Sequence, residues 1–237
     1  MKITSKSIIR MLCLFTFLFA TNAAIISQDL PRLNKEFPDF TFTDHNGKDV
    51  TLSDLRGEKV ILIFPRGKVG DHWCQLCHYQ YAELAKLQLD ENFQEKYNTK
   101  VLFILPYPMD EVKLWVDMFP SQMADIQRWK NIPEERRSGR MKVFVDAILE
   151  ILPQDFIFDD DNPAPLPFPV LSDSDHKLSS DIKLFASSWD GFYNEQNEAT
   201  TFILDEDGIV KFKYKSQETF DRPDAEYLIE YIDKMME

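Results

Sequence analysis

Apolar and polar positions along this chain alternate in a few readable patterns. Residues 60–64 are apolar throughout and rich in β-branched types, as suits a central strand covered on both faces. Residues 100–105 form a second apolar run. Between them Tyr81, Leu84, Ala85 and Leu87 fall on one face of an amphipathic helix, with Phe93 and Tyr97 in the polar stretch after it. Strand, helix and strand in this order predict a right-handed parallel crossover. Upstream, Phe40 and Phe42 alternate with polar residues, Asp44-His45-Asn46-Gly47 is a turn, and Val50 and Leu52 alternate on the way back. That is a β-hairpin, followed by a short turn that Ser53 caps and Gly57 ends. Residues 24–36 form a weakly structured lead-in.

Downstream, residues 110–130 carry Val112, Leu114, Trp115, Met118, Phe119, Met123, Ile126 and Trp129 near helical spacing, interrupted by Pro120. Core packing accounts for that stripe. A further helix is expected over 143–152. Arg136, Arg137 and Arg140 read as a solvated basic face. Residues 154–169 combine Asp159, Asp160 and Asp161 with four alternating prolines, which enforce extended chain and block a helix. The three aspartates do not follow the spacing of a calcium loop. A helix over 177–185, a loop over 186–198, a hairpin of 200–204 with 209–214 and an amphipathic helix over 224–236 complete the pattern.

The 237 residues are 44% apolar, enough for one full core, and the formal net charge of −13 argues against nucleic acid or anionic lipid as partner. Residues 1–10 hold Lys2, Lys6 and Arg10 with no acid, residues 11–20 are apolar, and Thr21-Asn22-Ala23 offers small residues for cleavage after Ala23. This is the three-part pattern of a secretory signal over 1–23, too short to span a membrane comfortably. It predicts export to a periplasmic or extracellular space, no stable membrane insertion after processing, and one domain over 24–237.

Of three cysteines, Cys13 lies inside that leader, which leaves Cys74 and Cys77. A two-residue spacer closes too small a loop to staple a fold, so the pair reads as redox chemistry rather than as a structural disulfide. Cys74 falls where a loop enters the helix. Free backbone N–H groups and the helix dipole favour a thiolate there. Cys77 lies one turn along, placed to resolve a mixed disulfide or a sulfenic acid formed on Cys74. Trp73 walls the site, and Arg66 and His72 add positive charge if the loop folds over it.

The order of hairpin, central strand, Arg66-Gly67, Trp73, Cys74 and Cys77 resembles the peroxiredoxins, the alkyl hydroperoxide reductase/thiol-specific antioxidant proteins of the thioredoxin superfamily. The likeness covers roughly 37–107 and 164–237, with 108–163 as an insertion. It implies an α/β, thioredoxin-like three-layer fold: a central mixed β-sheet flanked by helices, with an N-terminal hairpin. It further implies an oxidoreductase that reduces peroxide or exchanges protein disulfides, is recharged by a thiol reductant, and needs no cofactor or metal. Three departures are visible: Lys68 to Asp71 is inserted before the Trp, Asp71 stands where the family has a Thr, and Gln75 stands where it has a Pro. At Ala199 the chain lacks the cis-Pro of thioredoxin-like oxidoreductases and the Arg of peroxiredoxins, so a trans bond is expected and one thiolate stabiliser is missing. Thr200 would face the pair through its backbone.

Three other readings share these residues. A redoxin-fold interaction protein would keep an inert disulfide. Cys74-Gln75-Leu76-Cys77-His78 is also the c-type haem attachment pattern, with His78 pointing to solvent in the first helical turn. Zinc on His72, Cys74, Cys77 and His78 has the right ligand types, but four ligands within seven residues crowd a helix start.

Overall fold

The computed structural model describes residues 29–235, so the expected leader over 1–23 lies outside the described residues. The hairpin pairs β1 (Thr41–Thr43) with β2 (Asp49–Thr51), Phe42 opposite Val50. The Asp44 carboxylate closes its turn by accepting the N–H groups of Asn46 at 2.9 Å and Lys48 at 2.8 Å. Gly47 there takes a φ of +85°, which L side chains rarely adopt.

β3 (Lys59–Phe64) is buried along its whole length, as the unbroken apolar run predicts. The residues inserted after Arg66-Gly67 make a small ladder of β4 (Lys68–Val69) and β5 (His72–Trp73). α1 (Gln75–Glu91) follows at once and returns through β6 (Thr99–Leu105), parallel to β3. The apolar stripe after it divides at Pro120 into α2 (Met109–Asp117) and α3 (Phe119–Lys130), with the proline in the first turn of α3, where no N–H is needed. α4 (Arg140–Ile151) and β7 (Val170–Ser172) come next, β7 parallel to β6.

The helix expected over 177–185 is shorter: α5 (Lys177–Asp181) ends where Lys183 enters the left-handed region at φ +60°. The expected loop over 186–198 likewise holds a two-rung ladder, β8 (Phe185–Ala186) with β9 (Gln196–Asn197). β10 (Thr200–Leu204) and β11 (Val210–Lys215) form the second long hairpin, and α6 (Ala225–Lys234) follows, the Asp224 carboxylate capping it on the Tyr227 N–H. The main sheet is mixed, in the order β11-β10-β3-β6-β7, with β10 antiparallel to both its neighbours. This is the thioredoxin-like α/β architecture that the resemblance implied. The described residues contain no cis peptide bond and no helix long and apolar enough to cross a membrane.

Alternate residues of β3 feed two cores. Val60, Leu62 and Phe64 pack with Phe37, Phe40 and Leu52 of the N-terminal arm and with Leu178 and Ile182. Ile61 and Ile63 pack on the other face with α1, the helices of 108–163 and Leu228 and Ile232 of α6. Each such side chain contributes roughly 1.5–3 kcal/mol through burial.

α1 departs most from expectation. Every residue from Leu76 to Ala85 is buried, not one stripe, because α2 and α3 roof the face that an amphipathic helix would give to water. The segment 108–163 is therefore part of the core.

Tyr81 ties the chain after this segment to the centre of α1. Its hydroxyl donates to the Phe168 carbonyl at 2.8 Å and accepts the Phe168 N–H at 3.0 Å, all three groups buried. Tyr81→Phe strands both backbone groups. We expect a loss of about 1–3 kcal/mol, read as a lower urea midpoint with an unchanged m-value; an unchanged midpoint would contradict the bridging role.

Candidate redox site

Local geometry at the start of α1 follows from Gly67. Its φ of +85° and its lack of a side chain let the Tyr107 ring sit where a Cβ would project. The turn then offers the Gly67 carbonyl to the Cys74 N–H at 2.8 Å. Cys74 is thereby fixed as the N-cap of α1, with Cys77 in its first turn and its N–H on the Cys74 carbonyl at 3.1 Å. Both cysteines are free thiols, 1% and 0% exposed, so neither sulfur is open to solvent. Trp73 precedes them, is buried, and meets Tyr107 edge-on with ring centroids 5.4 Å apart.

The group that touches both sulfurs is Arg222. Its Nη1 donates to Cys77 Sγ at 3.2 Å and its Nη2 to Cys74 Sγ at 3.6 Å. The stabiliser expected to be missing for want of an Arg near Ala199 is supplied from elsewhere: the guanidinium arrives from the loop between β11 and α6. In sequence Arg222 sits in an Asp-Arg-Pro triplet with no periodicity or motif to mark it.

Arg66, foreseen as an electrostatic helper, is fully buried and acts mainly as an anchor. Nε donates to Gln196 Oε1 at 2.6 Å, Nη1 to the Thr219 hydroxyl, and Nη2 to the Trp189 carbonyl at 3.1 Å. Its guanidinium carbon lies 4.9 Å from the ring centroids of both Trp189 and Phe192. Thr219 in turn accepts Arg222 Nε on its carbonyl at 3.2 Å and donates its N–H to Asp190 at 2.9 Å. Arg66, Thr219 and Arg222 therefore form a relay that sets the second guanidinium over the sulfurs.

Two titrations respond in opposite directions. Cys74 is raised well above an ordinary thiol, first because it donates a hydrogen bond to Cys77 and then because it is buried. Burial works in the same direction on Cys77, but the hydrogen bond from Cys74 and the charge and N–H groups of Arg222 outweigh it and hold that thiol well below its usual range. The pair thus titrates in two coupled steps, and Arg222 and the hydrogen bond favour the first negative charge on Cys77 rather than on Cys74, where the helix start alone would place it. Burial works against the charge on Arg222 as well, and the two sulfurs more than offset it.

Other foreseen residues lie elsewhere. His72 is exposed on the β4–β5 ladder and takes no part in the hydrogen bonds of the pair. Thr200 is spent on the sheet: it lies opposite Phe64 and Lys215, and its hydroxyl donates to the Glu198 carbonyl at 2.8 Å.

His78 does not point to solvent. It is fully buried against Trp115, with ring centroids 4.2 Å apart, and its Nδ1 and Nε2 face the carbonyls of Cys74 at 3.2 Å and Trp115 at 2.8 Å. Burial lowers its pKa. With both ring nitrogens on backbone oxygens it offers no free ligand to a haem iron or to zinc, and His72 is on the outside. Among the described residues no group of three or more His, Cys, Asp or Glu is arranged to hold a metal ion.

Known proteins bear on this site in three ways. A sequence profile of the AhpC/TSA family matches residues 33–213. Over 91 residues the chain is 31% identical to the thiol-disulfide oxidoreductase ResA of Bacillus cereus and, to the same degree, to that of Bacillus anthracis. That stretch is 38% of this chain and 46% of each relative, so the match spans less than half the length of these curated relatives. Among solved structures, Enterococcus faecalis AhpC matches with a TM-score of 0.55 at 13% identity, over 87% of this chain and 93% of that one. Mycobacterium bovis AhpC gives 0.54 at 13% identity, over 87% and 93%. The reduced Plasmodium vivax 2-Cys peroxiredoxin gives 0.51 at 14%, over 86% and 81%. At such identities the structural likeness is one of fold. The profile match, which runs from the N-terminal arm into β11, shows that this chain belongs to the AhpC/TSA family.

Proposed function

We propose that the protein is a thiol-dependent oxidoreductase whose Cys74–Cys77 pair reduces disulfides of other proteins by thiol–disulfide exchange. The observation that carries this reading is the Arg222 guanidinium lying on both sulfurs of a free, buried pair at the start of α1. The thiolate, not the thiol, is the nucleophile, and this arrangement lowers the cost of forming one.

Cys74 occupies the helix mouth and Cys77 lies a turn inside, so Cys74 attacks first, its proton passing to Cys77 along their shared hydrogen bond. The Cys74 thiolate forms a bond to one substrate sulfur, and the other substrate sulfur leaves as a thiolate. Cys77 then gives up the remaining proton to that leaving group and attacks Cys74 in the mixed disulfide. The pair ends as a disulfide, two electrons poorer, and the substrate has become two thiols, one of them released as its thiolate. A thiol reductant of a second partner restores the pair. Arg222 stabilises the negative charge on whichever sulfur carries it.

Peroxide reduction is the second reading, and the family match favours it. Against it, the position three residues before Cys74 holds Asp71, an exposed carboxylate where a hydroxyl donor would serve a bound peroxide. The leader-like N-terminus supports a periplasmic or extracellular setting, where protein disulfides are available as substrates.

The reading is tested by single-turnover oxidation of the reduced protein, with hydroxyethyl disulfide and hydrogen peroxide compared by tryptophan fluorescence. We expect rapid oxidation by the disulfide and a peroxide rate no higher than that of a free thiolate. Cys74→Ser abolishes the reaction, and Cys77→Ser halts it at a mixed disulfide visible by mass. A fast peroxide reaction beside a slow disulfide reaction would assign the protein to peroxide instead. An unreactive pair would leave a redoxin-fold interaction protein.

Ionisation of the pair gives a second test. Cys77 lies below its ordinary value of 9.0 and Cys74 above it, so ultraviolet thiolate absorbance should appear in two separated steps, one on each side. Loss of the guanidinium removes attraction for the thiolate, so Arg222→Met raises the first step, by about one to three pH units. Alkylation by iodoacetamide shifts toward higher pH by the same amount. An unmoved first step would show that Arg222 does not hold the charge.

A further inference from the structure

A groove opens beside the sulfur pair on the face of α1 next to Cys77. Leu76, Tyr79, Gln80 and Glu83, spaced as one helical face, form its floor, and Arg222 closes the end nearest the sulfurs. Ile151 at the end of α4 and Phe220 before Arg222 stand on its sides, 42% and 38% exposed. Its space is about 50 Å³, far below the roughly 300–1,000 Å³ of a pocket for a drug-sized molecule. It suits one side chain of a larger partner.

Glu83 gives the groove its chemistry. It is 8% exposed and lines the space, yet among the described residues its carboxylate makes neither a hydrogen bond nor an ion pair. Lys130, whose charge partly offsets the rise in the Glu83 pKa, is committed to the Gln154 carbonyl and to Asp155. Asp224 lines the mouth of the groove, and Glu226 lies near enough to add its charge. Burial first, and then these two carboxylates, push the Glu83 pKa up to about 8. A buried acid facing two others without a partner is poorly solvated until a cation arrives.

We propose that this groove is the substrate cleft of the exchange reaction, and that it takes an extended polypeptide with a lysine or arginine a few residues from its reacting cysteine. The cationic head meets Glu83 and Asp224, and the aliphatic stem lies on Leu76, Tyr79 and Ile151. Spacing follows from the helix. The substrate cysteine bonds to Cys74, and Glu83 is nine residues beyond it, about 13.5 Å along the axis, which an extended chain covers in about four residues. A cation that ionises Glu83 on arrival also displaces its proton. The inference rests on the proposed exchange activity, whose substrates it narrows to cysteinyl segments of basic character.

The test separates the two. Two unreactive peptides, with serine in place of the reacting cysteine and either lysine or glutamate four residues away, are titrated into the reduced protein by calorimetry. We expect the lysine peptide to bind about tenfold more tightly at low salt, with the preference fading as salt rises. Glu83→Gln should remove most of that preference, with its folding checked by thermal melting. If that variant fails to fold, Asp224→Asn, which keeps a capping side chain, should reduce the preference by about twofold. Equal binding of the two peptides, or a preference untouched in a folded Glu83→Gln, overturns the cleft. Separately, failure of the parent protein to react with neutral hydroxyethyl disulfide overturns the exchange activity, whatever the peptides do.

Discussion

One arginine laid across two buried sulfurs is the interaction on which this site depends. A thiolate in a water-free interior is costly unless a cation and hydrogen-bond donors meet it. Arg222 supplies both, and the first turn of α1 adds its dipole. The cost of burying two charges is met by mutual compensation: the sulfurs keep Arg222 charged, and Arg222 keeps one sulfur ionised. Removing either partner leaves the other uncompensated, so the arrangement is stable only as a unit.

Much of the surrounding structure serves to hold that arginine in place. Its loop has no regular structure of its own and is tied down by Thr219, which is gripped by Arg66 and Asp190. Arg66 is in turn fixed between the Trp189 and Phe192 rings. The Asn194 side chain holds the β4–β5 ladder, accepting the Gly70 N–H at 3.0 Å and donating to the Lys68 carbonyl at 3.2 Å. Residues far apart in the chain thus converge on one end of the sheet. The helices of 108–163 close the other side of α1 and turn its polar residues inward, His78 onto backbone carbonyls and Glu83 into a groove. The same burial that quiets His78 leaves Glu83 without a partner.

Local pattern made the scaffold legible. The alternation at Phe40, Phe42 and Val50 marked the hairpin, the unbroken run at 60–64 marked the central strand, and Pro120 marked the break between two helices. Cys74 and Cys77 were legible as a helix-start pair because their spacing and the preceding strand determine where they fall. Arg222 was not, since its role comes from a loop that reaches the pair across 145 residues of chain, and no local spacing encodes that approach. The burial of His78 was hidden for a related reason. Its own helix shows an ordinary amphipathic stripe, and only the tertiary roof of α2 and α3 covers the outer face. The ending of α5 at Asp181 was likewise set by a single left-handed residue, Lys183, of a type that carries no turn signal.

The most direct test of the central claim is carbon-13 NMR of the reduced protein labelled at its cysteine Cβ atoms, recorded at neutral pH. A site-resolved shift reports thiol or thiolate at each sulfur without altering the site. The account predicts Cys77 ionised and Cys74 protonated, as the hydrogen bond between them and the nearer approach of Arg222 to Cys77 require. Two protonated sulfurs at neutral pH would contradict it, for the guanidinium would then lie beside a neutral pair and stabilise no charge.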